Sequence, residues 1–225
     1  MSSPSSPARG RPARLDRTRT LQTALDLLDQ SGLDALTMRR LADAMGVQAG
    51  ALYRYFATKQ DLLTAMAERM MEGVAEAAAT DGGDWSERLT ALARAEREAL
   101  LAHRDGARVF AGTHATGASV LGFADAFVGV LREAGFADDA AARALYTVVN
   151  YTVGHTLEEQ AALQAQDGPP EDASVLRDAV TAGTYPHLSA TLPTLTSTDF
   201  TGLFEFGLDL LIEGLRARHA PPARK

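Results

Sequence analysis

The stretch Leu36 to Leu63, LTMRRLADAMGVQAGALYRYFATKQDLL, decides how this chain is read. Thr37 can cap a short helix whose apolar residues Met38, Leu41, Ala42 and Met45 recur at three- and four-residue spacing, and Gly46 ends it. A second helix follows at once over Gln48 to Tyr55. It is only about two turns long. Val47 and Leu52 are placed to face the first helix, while Gln48, Ala49, Gly50, Ala51, Tyr53, Arg54 and Tyr55 are left to look outward. Two helices joined at a tight glycine corner make a helix-turn-helix, whose second helix fits a DNA major groove. Any pair of antiparallel helices can have such a glycine. What distinguishes this one is a second helix too short and too poor in apolar residues to be worth burying. It has small residues at its start, and Tyr53, Arg54, Tyr55 and Lys59 follow, a composition suited to phosphates and base edges.

Charge is distributed unevenly around this stretch. Residues 1–59 carry nine Lys/Arg against five Asp, a net +4, so with −7 for the whole chain the remainder holds −11. A basic end on an acidic body meets a polyanion with one face and repels it with the other. Residues 1–14, rich in Ser, Pro, Gly and Arg, read as a disordered basic arm able to enter a minor groove or run along phosphates. Residues 15–60 read as the DNA-binding domain. Its first helix spans Leu15 to Ser31, with Leu21, Ala24, Leu25 and Leu28 on one stripe and Gly32 as terminator. Thr58 and Asp61 form a capping box for a fourth helix, whose pattern runs through Met66, Met70 and Val74 to Thr80. At roughly 34 Å that helix would reach both halves of the protein and act as a lever.

Residues 61–225 read as a larger helical domain for dimerisation, which the family resemblance given below makes an effector-binding domain as well. Asp81-Gly82-Gly83 breaks the chain, and Asp84 with Glu87 starts a helix from Trp85 to His103. Further helices are predicted over Asp105–Thr113, Ser119–Ala134, Asp138–Gln166 and Glu171–Ala182, followed by a loop from Gly183 to Ser197 and a final helix capped by Thr198. No convincing strand alternation occurs, so the fold is expected to be all-α, with about ten helices. The absence of cysteine excludes a disulfide framework and thiolate metal sites. No apolar run is long enough to span a bilayer, and the N-terminus lacks the apolar core of a signal peptide. A soluble cytoplasmic protein without a membrane role is therefore expected.

The final helix is apolar on more than one face and carries Gly207 and Gly214 one heptad apart. A second apolar face needs a partner. With Asp138–Gln166 as companion, two copies would form a four-helix bundle about a twofold axis, glycines easing the approach. Such a homodimer requires palindromic double-stranded DNA with half-sites roughly 34–36 Å apart.

LTMRRLADAMGV and ALYRYFATKQDLL match the pattern Leu-Thr-x-Arg-x-Leu-Ala-x-x-x-Gly-Val and Leu-Tyr-x-Tyr-Phe-x-x-Lys-x-x-Leu-Leu. At these residues the chain resembles the TetR family of bacterial regulators. The likeness covers most of Leu15 to Ala220: HRDGARVFAGT (His103–Thr113), NYTVGHTLEEQ (Asn150–Gln160) and FEFGLDLLIEGL (Phe204–Leu215) resemble the tetracycline-repressor branch. That branch holds a magnesium–tetracycline chelate through a histidine, a threonine and a glutamate, with a second histidine and an asparagine gripping the drug. By this resemblance Thr113 and Glu158 match the threonine and glutamate, whereas Phe110 replaces the metal-ligating histidine. Asn150 replaces another pocket histidine, Ala75 and Leu92 replace the drug-gripping pair, and Phe127 replaces a glutamine. The resemblance thus implies a cavity lined by Met66, Met70, Leu92, Phe110 and Phe127, with Thr113, Asn150 and Glu158 as polar points and Glu96 as a further one. Such a cavity suits a flat, largely apolar small molecule rather than a chelate. No metal or cofactor is expected.

For the DNA-binding domain, Arg39, Tyr53, Tyr55 and Lys59 are assigned chiefly to phosphates, and Gln48, Ala49, Gly50 and Arg54 to the groove. Catalysis has little support. His155 and Glu158 stand three apart without a third metal ligand, Gly117-Ala118-Ser119-Val120-Leu121 fails the nucleophile-elbow pattern, and His103-Arg104-Asp105 suits a helix junction. A ligand-responsive repressor accounts for all these features together. An activator or ligand-independent DNA binder accounts for the helix-turn-helix and the charge, and a small-molecule binder without DNA function accounts for the cavity alone.

Overall fold

Residues 16–79, 83–166 and 172–219 are described in the computed structural model, and among them every regular element is a helix. The expected arm, residues 1–14, lies outside them. Asp16 caps α1 (Arg17–Ala35) by accepting the Thr18 N–H at 3.2 Å. The stripe Leu21, Ala24, Leu25 and Leu28 is buried as predicted, and regular winding breaks at Gly32. α2 (Met38–Met45) begins on Thr37, whose hydroxyl accepts the Arg40 N–H at 3.1 Å. It ends on Gly46 in the left-handed region at φ 66°, which turns the chain directly into the next helix. α3 (Ala49–Leu52) is shorter than the predicted Gln48–Tyr55, with Gln48 as its N-cap and Tyr53 as its C-cap. Buried Leu52 and Phe56 anchor this single turn in the core formed by α1 and α2.

α4 (Lys59–Met70) opens with the predicted capping box, Thr58 and Asp61 exchanging two 3.0 Å bonds. The expectation of one unbroken helix to Thr80 is corrected. α4 stops at Met70, Gly73 adopts φ 77°, and a separate turn α5 (Val74–Ala77) follows. Met66 and Met70 belong to the N-terminal core, whereas Met71 and Val74 belong to the second core. The chain turns here because two cores meet, and the apolar spacing that runs on through Val74 hides that turn.

The body comprises α6 (Trp85–Leu101), α7 (Gly106–Ala111), α8 (Ala118–Glu133), α9 (Asp138–Gln166), α10 (Asp172–Ala182), α11 (Pro186–Leu195) and α12 (Phe200–His219). Asp84 and Glu87 cap α6 reciprocally. The 29 residues of α9 make it about 43 Å long. It packs with α6, α8 and α12 around Leu89, Phe123, Phe127, Val148, Phe204 and Leu208. Each such side chain contributes about 1.5–3 kcal/mol on burial. Two further expectations are corrected. Pro186 initiates α11 where a loop was expected, since proline fits the first turn of a helix, whereas Pro193 inside it forfeits the bond that an N–H there would give the Ser189 carbonyl. Asp199, not Thr198, caps α12, accepting the Gly202 N–H at 2.9 Å. With α5 and α11 added, the described residues form twelve helical segments, in line with the about ten expected.

A polar seam fixes the helix-turn-helix on the body. Asp105, buried and at φ 57°, accepts the Leu33 N–H at 2.7 Å. Asp29 accepts the Arg104 N–H at 3.0 Å and lies 3.1 Å from His103 Nδ1, so His103-Arg104-Asp105 forms the junction its sequence suggests. Gln60 donates to the Gly112 carbonyl at 2.8 Å, and Glu68 accepts the Gly117 N–H at 2.7 Å.

The break between α4 and α5 has a test whose sign is informative. Gly73→Ala would stabilise a continuous helix by about 1 kcal/mol, but at a left-handed position it should destabilise by about 1–2 kcal/mol. Urea unfolding of the variant beside the parent reads this directly, and a stabilised variant would refute the break.

Candidate DNA interface and effector site

Outside Leu52, α3 contributes almost nothing to the core, and that leaves its surface available. Gln48, Gly50, Tyr53, Arg54 and Tyr55 are exposed, and Ala49 is half-buried against the N-terminal core. Arg39, exposed near the start of α2, lies in the same helix-turn-helix. No ion pair among the described residues involves Arg39 or Arg54. Lys59 differs, being half-buried with its ammonium 3.4 Å from the Leu33 carbonyl. A phosphate contact would come from its remaining N–H donors or follow a move away from that carbonyl.

The residues assigned to the effector fall into three groups. Met66 and Met70 lie in the N-terminal core, Leu92 and Phe127 in the body's core, and half-buried Phe110 touches both of these cores and a third, small cluster around Leu100, Ala107 and Val153. Thr113 is buried, its hydroxyl donating to the Phe110 carbonyl at 2.9 Å. Asn150 and Glu158 lie exposed on α9 in the single chain. Between α5, α6 and α8, Ala75, Ala78, Leu92, Asp125, Val130 and Glu133 line an open depression of about 410 Å³. Ala75 and Leu92 thus come together at one site, apart from Asn150 and Glu158.

Sequence reasoning missed the polar groups buried among these helices. Glu159, next to Glu158, receives a bidentate pair of bonds from Arg97 at 2.9 and 2.7 Å. Arg97 also lies 5.1 Å from the centroid of the Phe204 ring, so one guanidinium ties α6, α9 and α12 together. Gln160 donates to the carbonyls of Leu100 and His103. The available signal was charged and amide residues at core spacing: Arg97 stands four and eight residues from Ala93 and Leu89, both buried. His155 Nε2 lies 3.0 Å from the Phe200 carbonyl. No cluster of three potential metal ligands occurs among the described residues.

Comparison with known proteins agrees with this architecture at both ends. Residues 21–66 match the family described as bacterial regulatory proteins, tetR family, and residues 77–219 match the tetracyclin repressor-like C-terminal domain. The class A tetracycline repressor from transposon 1721 of Escherichia coli is 39% identical over 206 residues, covering 91% of this chain and 92% of that protein. The chain belongs to the TetR family.

Among solved TetR-family structures, a possible transcriptional regulator from Streptomyces coelicolor A3(2) is 75% identical, with a TM-score of 0.85 over 91% of this chain and 100% of that one. A single-substitution variant of TetR from Acinetobacter baumannii AYE, in complex with minocycline, is 33% identical, with a TM-score of 0.70 over 92% and 100%. BioQ bound to its double-stranded DNA operator is 32% identical, with a TM-score of 0.66 over 91% and 99%.

Within this TetR-family body, Glu96 is the unusual group. It is 0% exposed, and on α6 it shares a face with buried Leu92, Ala93 and Leu100. Neither carboxyl oxygen has a hydrogen-bond partner. Burial pushes its pKa well above the ordinary 4.5, with no charged neighbour contributing. The folded chain therefore keeps a proton that the unfolded chain releases above 4.5, so stability falls as pH rises from there through the folded pKa. Glu96→Met, which removes the unpartnered group and keeps its unbranched shape, should be the more stable protein near pH 8 by about 1–3 kcal/mol. Urea unfolding near pH 8 and near pH 4 should show the difference shrinking on the acid side.

Proposed function

We propose that this chain is a cytoplasmic, non-catalytic repressor that binds a palindromic operator as a homodimer and is released by a small, largely apolar effector. The observation that carries this reading is α3, a solvent-facing turn held on a buried core by Leu52 and Phe56, with Arg54 in no ion pair among the described residues. Burial explains only its anchor. In this reading Arg39, Tyr53 and Tyr55 hold phosphates, joined by Lys59, while Gln48, Ala49, Gly50 and Arg54 approach base edges and Arg54 reads a guanine.

The homodimer is supported by the uncovered face of α9 and α12, where Tyr146, Phe206 and Leu210 are 71%, 68% and 60% exposed. A contiguous apolar face of this kind marks an interaction surface. Gly214 has open space above it, as a close helix approach requires, whereas Gly207 serves the single chain: a Cβ there would collide with the Tyr151 hydroxyl. That hydroxyl donates to the Phe204 carbonyl at 2.8 Å. Effector entry beside Phe110 and Thr113 then shifts α7, swings α4 through the polar seam and separates the two DNA-binding helices.

Magnesium–tetracycline is not the effector in this reading. A phenyl ring at Phe110 supplies no metal ligand. Calorimetry is expected to show no magnesium-dependent tetracycline binding, and a micromolar or tighter complex overturns the exclusion. For the DNA side, Arg54→Ala should cost about 1–3 kcal/mol and relax specificity at one base pair per half-site. Gel shifts on the region upstream of the chain's own gene, with single-base operator variants, measure both. Equal weakening on every sequence would move Arg54 to a phosphate.

A further inference from the structure

Glu96 has a cost that folding does not explain. Its two oxygens and the hydroxyl of Thr152 are the buried side-chain atoms without a hydrogen-bond partner among the described residues. Thr152, also 0% exposed, stands on α9, the helix packed against α6. An apolar residue at position 96 would fit the surrounding leucines better, since burying an unpartnered carboxyl is destabilising. Charged groups on α6 itself and on α4 are engaged elsewhere: Arg97 with Glu159, Arg94 with Glu205, and Glu68 with the start of α8.

The open depression between α5, α6 and α8 ends at Leu92, one helical turn from Glu96. Leu92 is only 4% exposed, so a single side chain of that helix separates the depression from the buried carboxyl. Its mouth is acidic. Glu133 is paired with Arg88 at 2.7 Å, whereas Asp125 is exposed and adds a negative charge. The residues beyond 59 carry −11 in all, a field that favours cations around the body as a whole. An anionic ligand would meet repulsion from Asp125 at the mouth.

We infer that the effector is an amphiphilic amine, whose ammonium passes Asp125 and meets Glu96 while its apolar part displaces Leu92. This rests on the ligand-responsive reading above, brings the effector in at the depression by Asp125 and Leu92 instead of beside Phe110, and names the chemical class of ligand. On binding, the neutral carboxyl of Glu96 releases its proton to solvent water and the ammonium takes its place, so the buried charge is matched rather than isolated. Thr152 offers its hydroxyl to the same group. The apolar lining sets the size of the ligand, and the carboxyl selects for a cation.

The test uses the full-length protein with hexylammonium chloride and 1-hexanol as probes, alike in apolar length and different in charge. Calorimetry should show the parent binding hexylammonium at least about tenfold more tightly than hexanol. Glu96→Gln should remove that preference while leaving hexanol binding unchanged, and Asp125→Asn, on the surface, should weaken hexylammonium alone by about two- to threefold. A parent that binds the two probes equally, or a Glu96→Gln protein that keeps the preference, overturns the inference. Operator binding is followed in parallel by gel shift. A parent that binds DNA yet ignores the amine sinks the amine and leaves the repressor standing. A parent that binds the amine but no operator sinks the repressor instead.

Discussion

Asp105 is the point on which the two halves of this molecule depend. Its Oδ2 accepts the Leu33 N–H left over where α1 breaks at Gly32, and its Oδ1 accepts from Gln164 on α9 at 3.1 Å. The residue holds φ 57°, a left-handed conformation that costs a non-glycine side chain about 1–2 kcal/mol and that aspartate tolerates better than most. Hydrogen bonds to a buried carboxylate offset that cost. The consequence is geometric: α1, the N-terminus of α7 and the far end of α9 share one residue. A displacement of α7 therefore reaches the DNA-binding helices without crossing a flexible link.

A second carboxylate acts in the same direction. α8 starts on Gly117 and has no side-chain cap of its own, so its first N–H groups need an acceptor. Glu68 of α4 supplies it, accepting from Gly117 at 2.7 Å and Ser119 at 3.2 Å. A negative charge at a helix N-terminus is doubly favourable there. Hence the position of α4 and the start of α8 are coupled by one side chain. A hundredfold preference of a ligand for one state corresponds to roughly 2.7 kcal/mol. Hydrogen bonds to a charged group contribute about 1.5–3 kcal/mol each, so gaining or losing this cap in one state is enough to carry the coupling.

The helix-turn-helix was legible in the sequence because its signals are local. Thr37, Gly46, Thr58 and Asp61 all do in space what their spacing suggests, and the stripe on α1 is buried residue for residue. Features that depend on which core a residue joins were not legible. Met70 and Val74 keep helical spacing although Gly73 turns the chain between them, since each finds a different core at the same interval. Pro186 looked like a breaker and is an initiator, because proline has both roles and only the following turn decides. The candidate cavity was legible in composition but not in arrangement. Glu158 and Glu159 are neighbours in sequence, yet one faces solvent and the other pairs with Arg97 in the core, a distinction made by the rotation of α9.

The brevity of α3 bears on the whole assembly. A helix of four residues presents few side chains to a groove, so one copy reads only a handful of base edges. Affinity sufficient to find one site among a genome of competitors then has to come from two half-sites engaged together, where the second contact is made at high effective concentration. The proposed pairing of α9 and α12 across a twofold axis supplies that, and it makes the spacing of the two α3 turns the quantity a ligand must change. In the proposed reading recognition lies on α3 and control at the seam held by Asp105 and Glu68, so the apolar face of α12 between two copies would decide whether either has any effect.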